Sequence, residues 1–391
     1  MTRRRNVPQI WGMHSYERSL HEKMGQMLSP DSRPEKVSGD SVSRRGAVSE
    51  PIMHRAARIE DAFHEFRARR ARKRGFLATV VPYTGYGAPT WVRILGRVVL
   101  AKDPRPGSRA ERLHRRREES VRGWRSFVSV PLAGTTVTVE IEGERHTVTT
   151  DRGGVIDTVI PAQLTPGRHT VRLTTADSAR VFEAPVFIID PEATFGVISD
   201  VDDTVMVTAL PRPLLAAWNT FVLDEHARVP TPGMAVLLER LASAHPGTPV
   251  VYLSTGAWNV APTLTRFLSR NLFPAGPLLL TDWGPTHDRL FRSGREHKRT
   301  SLERLSEEFP GVKWLLIGDD GQHDEDLYGE FTVAHPEKVS AVAIRQLSSG
   351  EAVLAGGRSK AEKHSELSGT PWVYAPDGAG LSEQLTELGL L

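Results

Sequence analysis

The chain has 391 residues, 39% hydrophobic and 25% charged, enough for two or three domains at about 150 residues each. It contains no cysteine, which excludes a disulfide scaffold, a thiolate zinc site and a cysteine nucleophile, and fits a cytoplasmic protein. No apolar run approaches the roughly 20 residues that span a bilayer. The arginines near Met1 are followed by no apolar stretch, so a secretory signal is not expected. The net charge of +3 is unevenly spread: residues 1–75 hold 17 Lys/Arg against 9 Asp/Glu. That asymmetry suits either a solubilising tail or a contact with a polyanion, an anionic membrane surface included.

In chain order, residues 1–50 are polar, basic and weakly periodic, and read as a disordered basic tail. Residues 51–75 read as a basic amphipathic helix. Ile52, Ala56, Ile59, Phe63 and Phe66 recur at the spacing of one helical face, and Arg69, Arg70, Arg72, Lys73 and Arg74 crowd its end. Such a helix packs on its own protein or lies on an anionic membrane. From 76 to 190 the pattern changes to short β-prone runs: Phe76–Tyr83, Thr90–Val99, Ser126–Val130, Thr135–Glu142, His146–Thr150, Val155–Ile160, His169–Thr174 and Ala184–Ile188. Turn dipeptides such as Gly153-Gly154 and Pro166-Gly167 separate them. A β-sandwich-like domain is expected, with no catalytic constellation of its own.

From 191 to 391 strands and helices alternate. Phe195–Ile198, Val250–Leu253, Pro277–Leu280, Trp314–Ile317 and Val342–Ile344 are short apolar strands. Thr231 with Pro232 is read as capping a helix over Gly233–Ala244. Pro262–Leu272 and Arg299–Phe309 are further helices, and Thr370–Tyr374 and Leu381–Leu388 a last strand and helix. Alternation of this kind predicts an α/β domain, a parallel sheet with helices on both faces.

Chemistry-bearing residues fall where these strands end, the place at which open α/β sheets bind ligands. Asp200 and Asp202, in Asp200-Val201-Asp202-Asp203-Thr204, leave the first strand one residue apart. Two such carboxylates can share a small volume, one attacking phosphorus or holding a cation and the other moving protons. Alone, the motif reads more readily as a solvated acidic turn. Ser254, before Thr255 and Gly256, offers a hydroxyl and approachable backbone amides to a phosphate oxygen. Lys298 is read as opening a helix, an unfavourable dipole end for a cation that a bound anion would explain. Leu315-Leu316-Ile317-Gly318-Asp319-Asp320 runs on to Asp324, hard oxygen donors suited to Mg²⁺.

The four signals in this order resemble the haloacid dehalogenase-like (HAD) superfamily of phosphotransferases. The local wording is narrower: Asp200-Val201-Asp202-Asp203-Thr204, Tyr252-Leu253-Ser254, Phe291-Arg292-Ser293-Gly294, His297-Lys298 and Ile317 to Asp324 are similar to the phosphatidate phosphatase catalytic domain of the actin-patch type. The likeness covers roughly 190–346 and extends more weakly to Tyr83-Thr84-Gly85-Tyr86-Gly87. Two departures stand out. Asp320 occupies a position where relatives often carry serine, and Thr255-Gly256-Ala257-Trp258 replaces a Ser-Pro-Trp type of turn.

The resemblance implies a Rossmann-like HAD fold and a Mg²⁺-dependent phosphatase working through an aspartyl-phosphate. Asp200 is the implied nucleophile, Asp202 the general acid and base, and Thr204 the residue that orients the loop. Ser254, Thr255, Gly256 and Lys298 would bind the phosphoryl oxygens, and Arg292 and Arg295 an anionic lipid surface. The implied metal residues are Asp200, Asp202 (through its backbone carbonyl), Asp319, Asp320 and Asp324. Phosphatidate is the leading substrate, with an anionic phospholipid surface as partner and a cytoplasmic, peripherally membrane-bound location. The alternatives are a phosphatase of the same chemistry acting on a soluble phosphomonoester or phosphoprotein, and a non-catalytic anionic-lipid-binding module. Nucleic acid is not an expected partner, because no aromatic-interleaved basic stripe or recognised motif supports it.

Overall fold

A computed structural model describes residues 66–102, 130–207, 228–281, 287–321, 323–354 and 369–391. The expected tail, most of the expected amphipathic helix and the strand residues 126–129 lie outside these. Residues 59–391 form one compact unit. No helix among the described residues is long and apolar enough to cross a membrane.

Residues 66–73 are helical, and Phe66 is the one residue of the expected apolar stripe that lies among the described residues. Ala68 packs into the adjoining core while Phe66 is 57% exposed. The small alanine lets the helix approach the sheet closely, and the phenylalanine faces outward.

The strands that follow alternate buried and exposed side chains, the period-two signature of a sheet with one covered face. They are β1 (Phe76–Pro82), β2 (Gly85–Ala88), β3 (Trp91–Lys102), β4 (Val130–Pro131), β5 (Thr136–Ile141), β6 (Glu144–Thr149), β7 (Val155–Pro161), β8 (Gly167–Thr175) and β9 (Ser178–Ile188). All nine belong to one hydrogen-bonded sheet, ordered β1-β3-β2-β9-β8-β5-β6, with β4 and β7 also paired to β3. The long β3 takes β1 and β2 along one edge and β7 along the other. β1 packs on β8 and β9 without pairing to them. The sheet therefore folds back over a core that includes Val92, Ile94, Val139, Val171 and Leu173. The arrangement is sandwich-like in packing but continuous in hydrogen bonding.

The second sheet contains β10 (Phe195–Asp200), β13 (Val250–Ala257), β14 (Leu278–Thr281), β15 (Lys313–Asp319), β16 (Val339–Arg345) and β17 (Trp372–Ala375). Its order is β14-β13-β10-β15-β16-β17 and every pairing is parallel. Counted along the chain this is 3-2-1-4-5-6, the order of a doubly wound sheet, in which direction reverses beside the first strand. β10 is buried at every residue, as a strand covered on both faces must be.

Two groups of helices cover the sheet. α1 (Met234–Ala244) packs on α6 (Gly378–Glu387), while α3 (His287–Glu308) packs on α4 (Asp324–Ala334). Right-handed crossovers on either side of the reversal set the two groups on opposite faces. α2 (Ala261–Arg270) follows β13, and α5 (Ser349–Leu354) follows β16. β11 (Met206–Val207) and β12 (Val229–Pro230) form a small antiparallel pair after β10.

Two local expectations are corrected. Gly233, with φ 73°, caps α1, and the side chain of Thr231 does not. Gly233 abuts the backbone of Gly378 and Ala379 so closely that a Cβ would lie 2.8 Å from the Ala379 nitrogen. The helix expected at Arg299 begins at His287. Lys298 thus lies in the middle of α3, so an exposed helix N-terminus is not what explains its charge.

Candidate active site

β10, β13 and β15 end side by side at the reversal point, and their last residues supply the site. Asp200 closes β10 and is 1% exposed. The chain then turns tightly. Asp203 takes φ 57°, a left-handed conformation that aspartate tolerates better than most residues. Its amide donates to the Met206 carbonyl at 2.8 Å, and the Val205 and Met206 amides donate to the Val201 carbonyl. This turn returns Asp202 toward β13. There Ser254 Oγ donates to Asp202 Oδ2 at 2.9 Å and accepts from the Gly256 amide at 3.0 Å.

Ser254 can do this because β13 is irregular: its register against β14 shifts between Leu253 and Ala257. A bulge of this kind re-aims side chains at a strand end. Thr281 braces the bulge from β14, donating to the Thr255 carbonyl at 2.9 Å. Thr255 itself is exposed and Gly256 buried.

Lys298 reaches in from α3. Its Nζ lies 2.6 Å from Asp200 Oδ1 and 2.6 Å from Asp324 Oδ1. Asp324 opens α4 and is 3% exposed. Gly318 lets it come this near, because a Cβ there would lie 2.8 Å from Asp324 Oδ2 and 2.7 Å from the Tyr328 ring. Asp319 closes β15, its Oδ1 accepting from the Gly321 amide at 2.7 Å. Asp200, Asp319 and Asp324, all buried, offer carboxylate oxygens within 4.8 Å of one another.

Burial dominates the electrostatics. It pushes Asp200 well above the usual carboxylate range, opposed by Lys298 and reinforced by Asp324, Asp202 and Asp319. Burial likewise raises Asp202 to about 6, although the Ser254 hydrogen bond favours its ionised form. Asp319 is raised by burial and then by Asp324. For Lys298 burial acts the other way, but Asp200 and Asp324 overcome it and hold the ammonium well above its usual value. A single ammonium stands among three buried carboxylates and the partly buried Asp202, a concentration of negative charge that calls for a further cation.

The donors fit Mg²⁺. They are hard oxygens, three converge, and Asp324 Oδ2 and Asp202 Oδ1 are buried with no hydrogen-bond partner. Asp320 stands apart from this triad. Its amide donates to the Arg345 carbonyl and its Oδ1 accepts from the Leu347 amide at 2.8 Å. Consecutive residues at a strand end point opposite ways, so Asp319 faces the triad and Asp320 ties β15 to the chain after β16. Asp320, expected as a metal residue, is thus not among the three converging carboxylates.

Thr204 is wholly buried and its hydroxyl finds no partner among the described residues, so it does not orient the loop by hydrogen bonding. Arg345, which the motifs did not single out, does. Its Nη1 donates to the Asp203 carbonyl at 2.7 Å, Nη2 to Glu351 Oε1 at 2.7 Å and Nε to the Pro376 carbonyl at 3.3 Å. The available signal was an arginine closing an otherwise apolar strand. Arg295 pairs with Glu330 on α4 at the surface instead of turning to the triad. Arg292 lies in α3, its side chain outside the described residues.

Fold and site together define a doubly wound α/β domain with a buried carboxylate cluster, a hydroxyl bulge and a lysine at its switch point. Residues 195–346 match the family model described as phosphatidate phosphatase APP1, catalytic domain. The resemblance read from the motifs is thereby shown for this segment, at the level of a family of phosphatase catalytic domains. The chain is 26% identical over 211 residues to an uncharacterised protein of Schizosaccharomyces pombe, covering 50% of this chain and 33% of that protein. It is 26% identical over 152 residues to the phosphatidate phosphatase APP1 of Saccharomyces cerevisiae, covering 38% of this chain and 25% of that protein. The chain thus spans between a quarter and a third of these curated relatives. Among solved structures, the HAD domain of the effector protein Lem4 from Legionella pneumophila aligns at 14% identity over 45% of this chain and 92% of that one. The TM-score is 0.28, a superposition too loose to bear on function.

Proposed function

We propose that the protein is a Mg²⁺-dependent phosphatidate phosphatase of the HAD type. It would hydrolyse a phosphomonoester through an aspartyl-phosphate and release diacylglycerol and phosphate. The observation that carries this reading is the different footing of two neighbouring carboxylates. Lys298 holds Asp200 Oδ1, whereas Ser254 holds Asp202 Oδ2. One is placed beside positive charge, as an attacking carboxylate must be. The other, at about 6, exchanges a proton near neutral pH.

In the first step an Asp200 oxygen bonds to phosphorus as the bond from phosphorus to the ester oxygen breaks, and Asp202 gives its proton to the departing alkoxide. In the second, Asp202 takes a proton from water as that water attacks phosphorus, and Asp200 is released. Lys298 offsets charge on the phosphoryl oxygens. Ser254, itself held by the Gly256 amide, keeps Asp202 aimed. Asp200, Asp319 and Asp324 would hold Mg²⁺, with the Asp202 carbonyl in support. The ion would neutralise the carboxylates and the phosphoryl group.

The lipid part of the proposal draws on the family match and on the basic helical stretch. Arg70, Lys73 and Arg74 are exposed near the exposed Phe66, and such a surface favours an anionic bilayer. Location in the cytoplasm with peripheral membrane association follows from the same proposal. The deciding experiment measures phosphate release from phosphatidate vesicles against a panel of soluble phosphomonoesters, with Asp200→Asn as control. Release from vesicles alone is expected. Faster release from the soluble panel would retain the chemistry and overturn the lipid substrate, and full activity in Asp200→Asn would overturn the nucleophile.

A further inference from the structure

The Tyr83-to-Gly87 segment has no part in the chemistry above, yet both of its tyrosines leave the β-sheet domain and enter the catalytic one. Tyr83 stacks on Trp258, with ring centroids 4.9 Å apart and planes 11° from parallel, and its hydroxyl donates to the Trp258 carbonyl at 2.8 Å. Trp258 directly follows the bulge that carries Ser254, Thr255 and Gly256. Tyr86 and Arg93 are cross-strand partners on β2 and β3, the pairing that places side chains next to one another. Both reach one carboxylate at the end of α3: Tyr86 Oη donates to Glu308 Oε2 at 2.9 Å and Arg93 Nη2 to Glu308 Oε1 at 2.7 Å. Asp157 on β7 joins the same group, pairing with Arg93 and with Arg304 of α3. Trp91 and Phe309 pack beside them.

The sequence is built for this contact. A Cβ on Gly85 would lie 2.4 Å from the Arg93 carbonyl oxygen, and one on Gly87 2.2 Å from that of Trp91. The two glycines therefore let β2 lie tight against β3, which holds Tyr83, Tyr86 and Arg93 at one edge. Beyond that edge, Lys298 and Glu308 share one rigid helix about 15 Å apart. α3 also touches the bulge directly, since a Cβ on Gly294 would lie 3.0 Å from Thr255 Cγ2.

We propose that the β-sheet domain is a positioning element of the active site. Tyr83 sets the Ser254–Gly256 bulge, and Tyr86 with Arg93 sets α3 and through it Lys298. Tyr83 is accordingly a positioning residue, acting on Asp202 through Trp258 and Ser254. The catalytic part of this proposal rests on the phosphatase reading; the mechanical part does not.

The test uses the full chain and two readouts: amide hydrogen exchange across residues 254–260, and kcat and KM for phosphate release from phosphatidate vesicles. Tyr83→Ala should speed exchange at Gly256, Ala257 and Trp258 about tenfold. It should lower kcat about tenfold to a hundredfold, with KM within about twofold, the size of loss expected from a displacement of about 1 Å. Tyr83→Phe keeps the stack and should recover most of both. Val171→Ala, in the sheet's own core, should lower the melting temperature yet leave exchange at the bulge and kcat unchanged. Unaltered exchange in Tyr83→Ala overturns the proposal, as does an equal fall in kcat in Val171→Ala. Were the wild-type chain to release phosphate from no substrate, the function proposed above would fall. Selective exchange at the bulge would still uphold the coupling, and its absence would still overturn it.

Discussion

Both sheets bury an apolar core, and they differ in the charge they bury with it. Among the described residues of the nine-stranded sheet and its turns the buried polar residues are Thr150 and Thr175, and both are hydrogen-bonded to backbone. The six-stranded sheet and its helices bury Asp200, Asp319, Asp320, Asp324, Glu325, Lys298, Arg228 and Arg345. Among the described residues the first sheet keeps charged residues out of its fully buried core, as a stable interior does. The second gathers its tightest cluster of buried charge where its central strands end. Buried charge costs stability unless fully compensated, so its concentration there marks the region of the molecule that is built for chemistry.

That contrast breaks most sharply at Asp200. Asp200→Asn removes the attacking oxygen while keeping shape, so phosphate release should fall by about a thousandfold or more. The melting temperature should hold or rise. Loss of activity accompanied by unfolding would mean that the cluster is structural. Gly318→Ala is next. The added methyl group meets Asp324 and Tyr328 at under 3 Å, and displacing Asp324 should cost about a hundredfold in kcat and about 1–3 kcal/mol of stability.

Asp319→Asn separates charge from metal. In chelator the variant should melt higher than the wild type, by about 1 kcal/mol or more, because a buried, mutually repelling carboxylate is gone. Mg²⁺ should raise the wild-type melting temperature through binding to the folded state and leave the variant nearly unmoved. An equal Mg²⁺ shift in both would remove Asp319 from the metal site.

Much of the site was legible in the sequence because its residues sit where apolar strands stop. Asp200, Ser254 and Asp319 follow runs of buried residues, and a strand end is a fixed point from which a loop can be read. What was not legible depended on direction rather than position. Asp319 and Asp320 are indistinguishable in sequence, yet one faces the triad and the other the Leu347 amide. The first half of α3 is too polar to show a helical stripe, so periodicity makes Lys298 a helix opener where it is central. Arg345 meets Asp203 across 142 residues, a pairing that no local spacing records. The continuity of the nine-stranded sheet depends on one long strand, β3, taking partners on both edges, which strand counting alone cannot reveal.

A smaller effect tests burial in α3 away from the carboxylates. Burial pushes the His297 imidazole down to about 4, only partly offset by a backbone hydrogen bond with Leu279. The unfolded imidazole titrates near 6.5, so between these values the unfolded chain binds the extra proton. The contribution of His297 is fully present above pH 6.5 and is lost as pH falls toward 4. The half-buried ring should contribute on the order of 1–2 kcal/mol to this slope. Asp202, with its pKa raised by burial, slopes the opposite way. The measurement is therefore the difference in urea midpoint between wild type and His297→Gln at pH 7 and pH 4.5. A difference that does not change with pH would show that the imidazole is solvated.

The smallest effect is expected at Arg295, and it bears on where the charged surface stops and the site begins. From sequence, Arg295 is assigned, with Arg292, to an anionic lipid surface. Its guanidinium instead pairs with Glu330, with both side chains well exposed at 40% and 55%. An exposed pair contributes about 0–1 kcal/mol and is screened by salt. Arg295→Ala should therefore shift stability by less than about 1 kcal/mol and leave kcat and KM on phosphatidate vesicles within about twofold. Lys298→Ala, one helical turn away, should abolish turnover, because its ammonium meets two buried carboxylates at 2.6 Å. If Arg295→Ala raised KM on vesicles but not on a soluble phosphomonoester, the surface of α3 would belong to the lipid interface, and the boundary drawn by burial would be in the wrong place.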